Sequence, residues 1–171
     1  TSSLVGEDIR NSSMIKINNP LLKETSHLRT TLLTEHLKVC ERNLNSGKRG
    51  CWIFEIGNIF EKDKDHIKEK PILSGLICGE KRMERWSTNG KYSPLTYYQA
   101  RGIIANALMN LRIDAIDIPL NVTKDFLLHP GKSCSIIVEG RNIGKFGQIH
   151  PVLAEKNKLP DETFIFDLDL Q

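Results

Sequence analysis

Glu55 stands in the run Cys51-Trp52-Ile53-Phe54-Glu55-Ile56, where its neighbours on both sides are apolar. A carboxylate in such a strand must find a partner or change its protonation state. A guanidinium suits it, because the planar fork can meet both carboxylate oxygens. Arg29, at the expected start of the preceding helix, is the candidate. Consecutive elements usually pack together, which predicts a buried structural pair pinning that helix to the sheet. The alternative is that Glu55 reaches the rim of the sheet and stays wet. The other reactive residue types are dispersed. His27, His36, His66, His129 and His150 show neither metal-ligand nor triad spacing, and His129 and His150 both precede proline at expected turns. Cys40, Cys51, Cys78 and Cys134 contain no C-x-x-C pair, so they read as small buried thiols rather than a zinc site or a disulfide framework. No Walker-type or dinucleotide-binding glycine motif is present.

The elements that would position these residues follow from periodicity. Leu28, Leu32, Leu33, Leu37, Cys40 and Leu44 recur at helical spacing after Thr25-Ser26, which offers hydroxyl caps, and Asn45-Ser46-Gly47 ends the run. The strand from Cys51 to Phe60 is apolar on both faces, which predicts a central position in a covered sheet. The charged run from Glu61 to Lys70 reads as a solvated hairpin loop leading into a second central strand, Ile72 to Glu80. Lys81 to Lys91 is polar, with Trp86 as a loop anchor. Ser93-Pro94 reads as the start of a second helix, with Ala100, Ile103, Ile104, Ala107, Leu108 and Leu111 as its buried stripe. Gly102 in that helix predicts close packing against the sheet. Ile116 and Ile118 alternate with acids in a strand, and Ser133 to Val138 forms another. Glu139-Gly140-Arg141-Asn142 turns the chain into Ile143 to Ile149, and Pro151 opens a short helix. Thr163 to Leu170 is a final strand with one wet side. This order predicts an α+β fold, an antiparallel sheet with helices on one side.

With 171 residues, 26% charged and 39% hydrophobic, the chain has the composition of one globular domain spanning 1–171. A net charge of +3 permits nucleic-acid contact without predicting it; the pairs Lys48-Arg49 and Lys81-Arg82 are its only concentrated basic spots. No apolar run is long enough to span a membrane.

Five strings, in order along the chain, carry a family resemblance: Asn19 to Leu33 (NPLLKETSHLRTTLL) with Phe54 to Phe60 (FEIGNIF), Tyr97 to Leu111, Leu128 to Ile137, Gly144 to Pro151, and the terminal Phe164 to Leu170 (FIFDLDL). Together they closely resemble the synthetase-like module of the beta subunit of bacterial-type phenylalanine–tRNA ligases. The resemblance implies a class II aminoacyl-tRNA synthetase-like fold. It also implies a fragment of a longer chain, lacking an upstream interface helix and the editing and other tRNA-contacting domains. In such an enzyme the alpha subunit carries the ATP, Mg²⁺ and phenylalanine site. The beta module packs against it, two alpha–beta pairs form the holoenzyme, and tRNA(Phe) is charged in the cytoplasm.

Activation of an amino acid needs cations on the phosphates, carboxylates for Mg²⁺ and fixed donors for developing charge. Active class II enzymes supply these with an arginine–glutamate strand motif and a glycine-rich segment ending in Glu-Arg. Here the Glu-Arg pairs are Glu41-Arg42 and Glu84-Arg85, with no such lead. The expectation is therefore a non-catalytic module that needs no cofactor of its own. Arg29, Glu55, Gly57, His129 and Gly131 would be left as a structural, vestigial pocket. The family's Asp-x-Lys-Gly stands as Gln99-Ala100-Arg101-Gly102, and the lost acid weakens the case for a specific polar contact at Gln99. A free-standing module binding a small amino-acid-like ligand is the alternative.

Overall fold

The computed structural model describes residues 15–20, 26–63, 66–80, 93–120 and 127–171. The expectations for Thr25, for Trp86 and the loop around it, for Lys81-Arg82 and Glu84-Arg85, and for the first fourteen residues lie outside these.

Helix α1 spans Leu33–Asn45 and leads into the hairpin of β1 (Gly50–Asp63) and β2 (His66–Gly79). Helix α2 (Tyr97–Asn110) follows, then β3 (Ala115–Pro119), β4 (Leu128–Val138) and β5 (Arg141–Ile149). The short α3 (Pro151–Lys156) precedes β6 (Thr163–Asp169). The six strands form one antiparallel sheet in the order β1-β2-β6-β5-β4-β3.

Antiparallel partners project to the same face and alternate residues to opposite faces. Two separate cores result. On one face, Leu33, Leu37 and Cys40 of α1 and Leu153 and Ala154 of α3 close over Cys51, Leu76, Cys78 and Ile165. On the other, Ala100, Ile104 and Leu108 of α2 close over Ile77, Cys134, Ile136, Phe146, Phe164 and Phe166. Rings of Tyr97, Phe146 and Phe164 join this second core, with Phe146 and Phe164 stacked 6.0 Å apart. The sheet is thus covered from both sides, not the single side that the element order predicts.

Several local expectations are replaced. The helix predicted from Leu28 begins at Leu33, and Thr31 Oγ1 accepts the Leu33 N–H at 3.1 Å. The β-branched Thr30 and Thr31 favour extended backbone, so Leu28 and Arg29 run beside β1, where the Phe60 N–H bonds the Arg29 carbonyl at 2.9 Å. The second helix is capped by Thr96 rather than Ser93, and Gln99, set aside on sequence grounds, completes a capping box by accepting the Thr96 N–H at 3.0 Å. The charged Glu61–Lys70 run is paired strand over most of its length, with Glu61 opposite Lys68 and ion-paired to Lys70 at 2.6 Å.

Strand β1 is the outer strand next to β2, not a central one, and Phe54 and Ile56 are 71% and 65% exposed. β6, expected to have a wet side, is buried on both faces from Thr163 to Phe166, while Asp167 and Asp169 on the expected side are half-buried. Ile116 and Ile118 are exposed, and Asp117, itself exposed, receives the fork of Arg101 Nε and Nη2 from α2. The turn of Glu139 (φ 50°) and Gly140 (φ 78°) joins β4 to β5 with the left-handed pair of a tight hairpin.

Gly102 is exposed, and a Cβ placed there would meet nothing within 4 Å. It therefore carries the helix cost of glycine without the packing reason expected for it. Gly102→Ala should stabilise the fold by about 0.5–1 kcal/mol, read as a rise in the urea midpoint at unchanged slope.

Candidate functional site

One side of the sheet carries a transverse polar row. Glu55 pairs with Ser74, Ser74 with Asp167, Asp167 with Lys145 and Lys145 with Ser135, so all five side chains share the face that α1 and α3 cover in part. His36 comes down onto this row from α1, and its surroundings include Glu55, Asp167, Glu35 and a hydrogen bond with the Ser74 backbone. The buried atoms His36 Nε2, Ser74 Oγ and Asp167 Oδ1 have no hydrogen-bond partner among the described residues.

At the β1 end of the row, Arg29 Nη1 donates to Glu55 Oε1 at 2.8 Å and Nε donates to the Asn58 carbonyl at 2.8 Å. Gly57 makes room for this arrangement: a Cβ there would fall 2.5 Å from Arg29 Nη2. The pair is not buried as expected, since the side chains retain 43% and 40% exposure. β1 is an outer strand, and the guanidinium approaches from the extended segment at its edge rather than from a helix above it. Solvent screening places such a pair at roughly 0–1 kcal/mol, not the 3–5 kcal/mol lost when a buried pair is broken.

His129 and Gly131 lie elsewhere. His129 Nδ1 accepts the Gly131 N–H at 3.0 Å within an irregular start of β4, where the pairing shifts between Leu128 and Ser133. β4 is four strands from β1, or about 19 Å at normal strand spacing. Arg29, Glu55 and Gly57 are thus brought together, and the other two predicted residues form their own local turn. Sequence reasoning missed His36, Ser74 and Asp167. The signal for His36 was available, because it falls on the stripe Leu32-His36-Cys40 with an apolar residue four positions to either side. Ser74 and Asp167 become neighbours only through strand pairing.

A family profile described as the phenylalanyl tRNA synthetase beta chain CLM domain matches residues 2–170. The chain belongs to this family. It is 48% identical over its full 171 residues to the phenylalanine–tRNA ligase beta subunit of Prochlorococcus marinus (strain MIT 9313), covering 21% of that protein. To the corresponding subunit of Parasynechococcus marenigrum (strain WH8102) it is 51% identical over 156 residues, 91% of the chain and 19% of that protein. The chain therefore spans about a fifth of the length of these curated relatives. Among solved structures, the pyrrolysyl tRNA synthetase PylSc of Desulfitobacterium hafniense superposes with a TM-score of 0.62 at 15% identity, over 93% of this chain and 51% of that one. That likeness places the CLM domain in the class II synthetase fold.

The row in this domain does not fit ATP. A triphosphate needs uncommitted cations, whereas Arg29 is held by Glu55 and the Asn58 carbonyl and Lys145 stands directly opposite the Asp167 carboxylate. Glu55 and Asp167 add two carboxylates to the same face. No step of adenylate chemistry can be derived from these side chains.

His36 gives the row a pH dependence. Burial holds its imidazole below the usual value of 6.5, against the opposing pull of Glu55, the Ser74 backbone, Asp167 and Glu35. As pH falls through 6.5 the unfolded chain takes up the proton first, so the stability contributed by neutral His36 is progressively lost until the folded-state pKa is passed. Compared with His36→Gln, the native protein should lose stability between pH 7 and 5 in parallel denaturation series. A native protein that gains on the variant in that interval would mean that protonated His36 is paired instead.

Proposed function

We propose that residues 1–171 form one non-catalytic, class II synthetase-like domain of a phenylalanine–tRNA ligase beta subunit. In this reading the domain packs against an alpha subunit that holds ATP, Mg²⁺ and phenylalanine, two such pairs assemble, and the enzyme charges tRNA(Phe) in the cytoplasm. Family membership along the whole chain supports the assignment. The commitment of Arg29 to Glu55 supports the lack of catalysis. No described helix is long and apolar enough to cross a membrane. The length of the relatives favours a module within a large chain over a free-standing ligand-binding protein.

The observation that carries the docking role is the bare part of the sheet. Phe54 and Ile56 project to the same face as Phe164 and Phe166, but α2 covers only the latter end. Exposed apolar side chains in mid-strand are costly to leave in water, and burying each is worth about 1.5–3 kcal/mol. The double variant Phe54→Asp/Ile56→Asp should retain the melting temperature of the domain. It should weaken co-purification of the full-length beta chain with its alpha subunit by at least about 100-fold. Unchanged assembly would remove this face from the interface.

A further inference from the structure

Three of the four cysteines meet at one point in the core beneath α1. Cys40 of α1 and Cys78 of β2 are both fully buried, and their sulfurs lie 3.3 Å apart. Cys51 of β1 is the direct cross-strand partner of Cys78. Cys134 belongs to the other core, on the opposite face of the sheet. All four are free thiols.

We propose that Cys40 and Cys78 are a redox pair that peroxide converts to a disulfide, fastening α1 to β2. A sulfur pair at 3.3 Å needs to close by little more than 1 Å to reach a disulfide bond length of about 2.05 Å. The competing Cys51–Cys78 pair is a directly opposed cross-strand pair, with Cβ atoms typically about 4.5–5.5 Å apart against the 3.8 Å a disulfide prefers. Cys40 also interacts with Cys51 of β1, and Cys40–Cys78, with sulfurs 3.3 Å apart, is the pair proposed to link.

The shared hydrogen bond and burial push the Cys40 thiol up, and either sulfur of the pair can be the donor in that bond. Whichever of the two ionises displaces hydroxide, as thiolate, from hydrogen peroxide and becomes a sulfenic acid. The sulfur of the other cysteine next attacks that sulfenic sulfur, its proton leaves with the departing oxygen as water, and the S–S bond forms. The balance is two thiols and one peroxide giving one disulfide and two waters. Hydrogen peroxide is little larger than water, so local opening of α1 suffices to admit it.

The test is to treat the full-length protein, in its native assembly, with stoichiometric hydrogen peroxide and to map its cysteine peptides without reduction. A Cys40–Cys78 linked peptide, 2 Da lighter than the two thiol peptides together and released by dithiothreitol, is expected. Cys51→Ala and Cys134→Ala should still form it. Cys40→Ala and Cys78→Ala should each abolish it, and the cysteine left behind, once oxidised, should be trapped by dimedone as a sulfenic acid. Linkage through Cys51, oxidation confined to Cys134, or no loss of the two thiols at peroxide levels that oxidise exposed cysteines would each overturn the proposal. Because the linked peptide is read in the native sequence, the outcome does not depend on any variant folding.

Discussion

Strand β6 is hydrogen-bonded to β2 on one side and β5 on the other, and it alone makes one sheet of two units. Without it the chain has a β1–β2 hairpin under α1 and a β3–β4–β5 meander under α2. β6 is also the strand that feeds both cores: Phe164, Phe166 and Leu168 on one face, Ile165 on the other. Asp167 of the same strand sits at the centre of the polar row. The last described strand is therefore central in the fold, and neither core is complete without the residues it contributes.

That arrangement explains which parts of the molecule were legible in the sequence. The hairpins were readable because their determinants are local: Glu139-Gly140 supplies the positive φ angles, and Pro151 with the His150 cap starts α3. Strand position was not. Trp52-Ile53-Phe54 and Phe164-Ile165-Phe166 are equally apolar, yet one lies in the outermost strand and the other in an inner one. Apolar periodicity reports that a face meets something apolar; it does not report whether that partner lies within the chain. Phe54 and Ile56 were misplaced for this reason. The Arg29 position failed differently, because a leucine repeat extended the helix across Thr30-Thr31, where side-chain branching and the Thr31 hydroxyl favour extended backbone.

The candidate site shows the same division. Arg29 and Glu55 could be paired from charge and neighbouring elements, and the string that holds Gly57 pointed to the same corner. Their half-exposed setting, and the row that continues through Ser74 and Asp167, depend on strand order and were not visible in the sequence. The structure keeps the scaffold of a class II synthetase, and on its polar face Arg29 is committed to Glu55 and the Asn58 carbonyl while Lys145 lies beside Asp167.

This account holds that the face around Arg29 and Glu55 takes no part in amino-acid activation. Phenylalanine-dependent ATP–pyrophosphate exchange by the intact assembly is the most direct measurement, comparing the native protein with Arg29→Met/Glu55→Gln at matched folding and subunit content. The account predicts kcat/KM within about twofold of native. A fall of about 100- to 1,000-fold, the size expected when a group stabilising transition-state charge is removed, would contradict it.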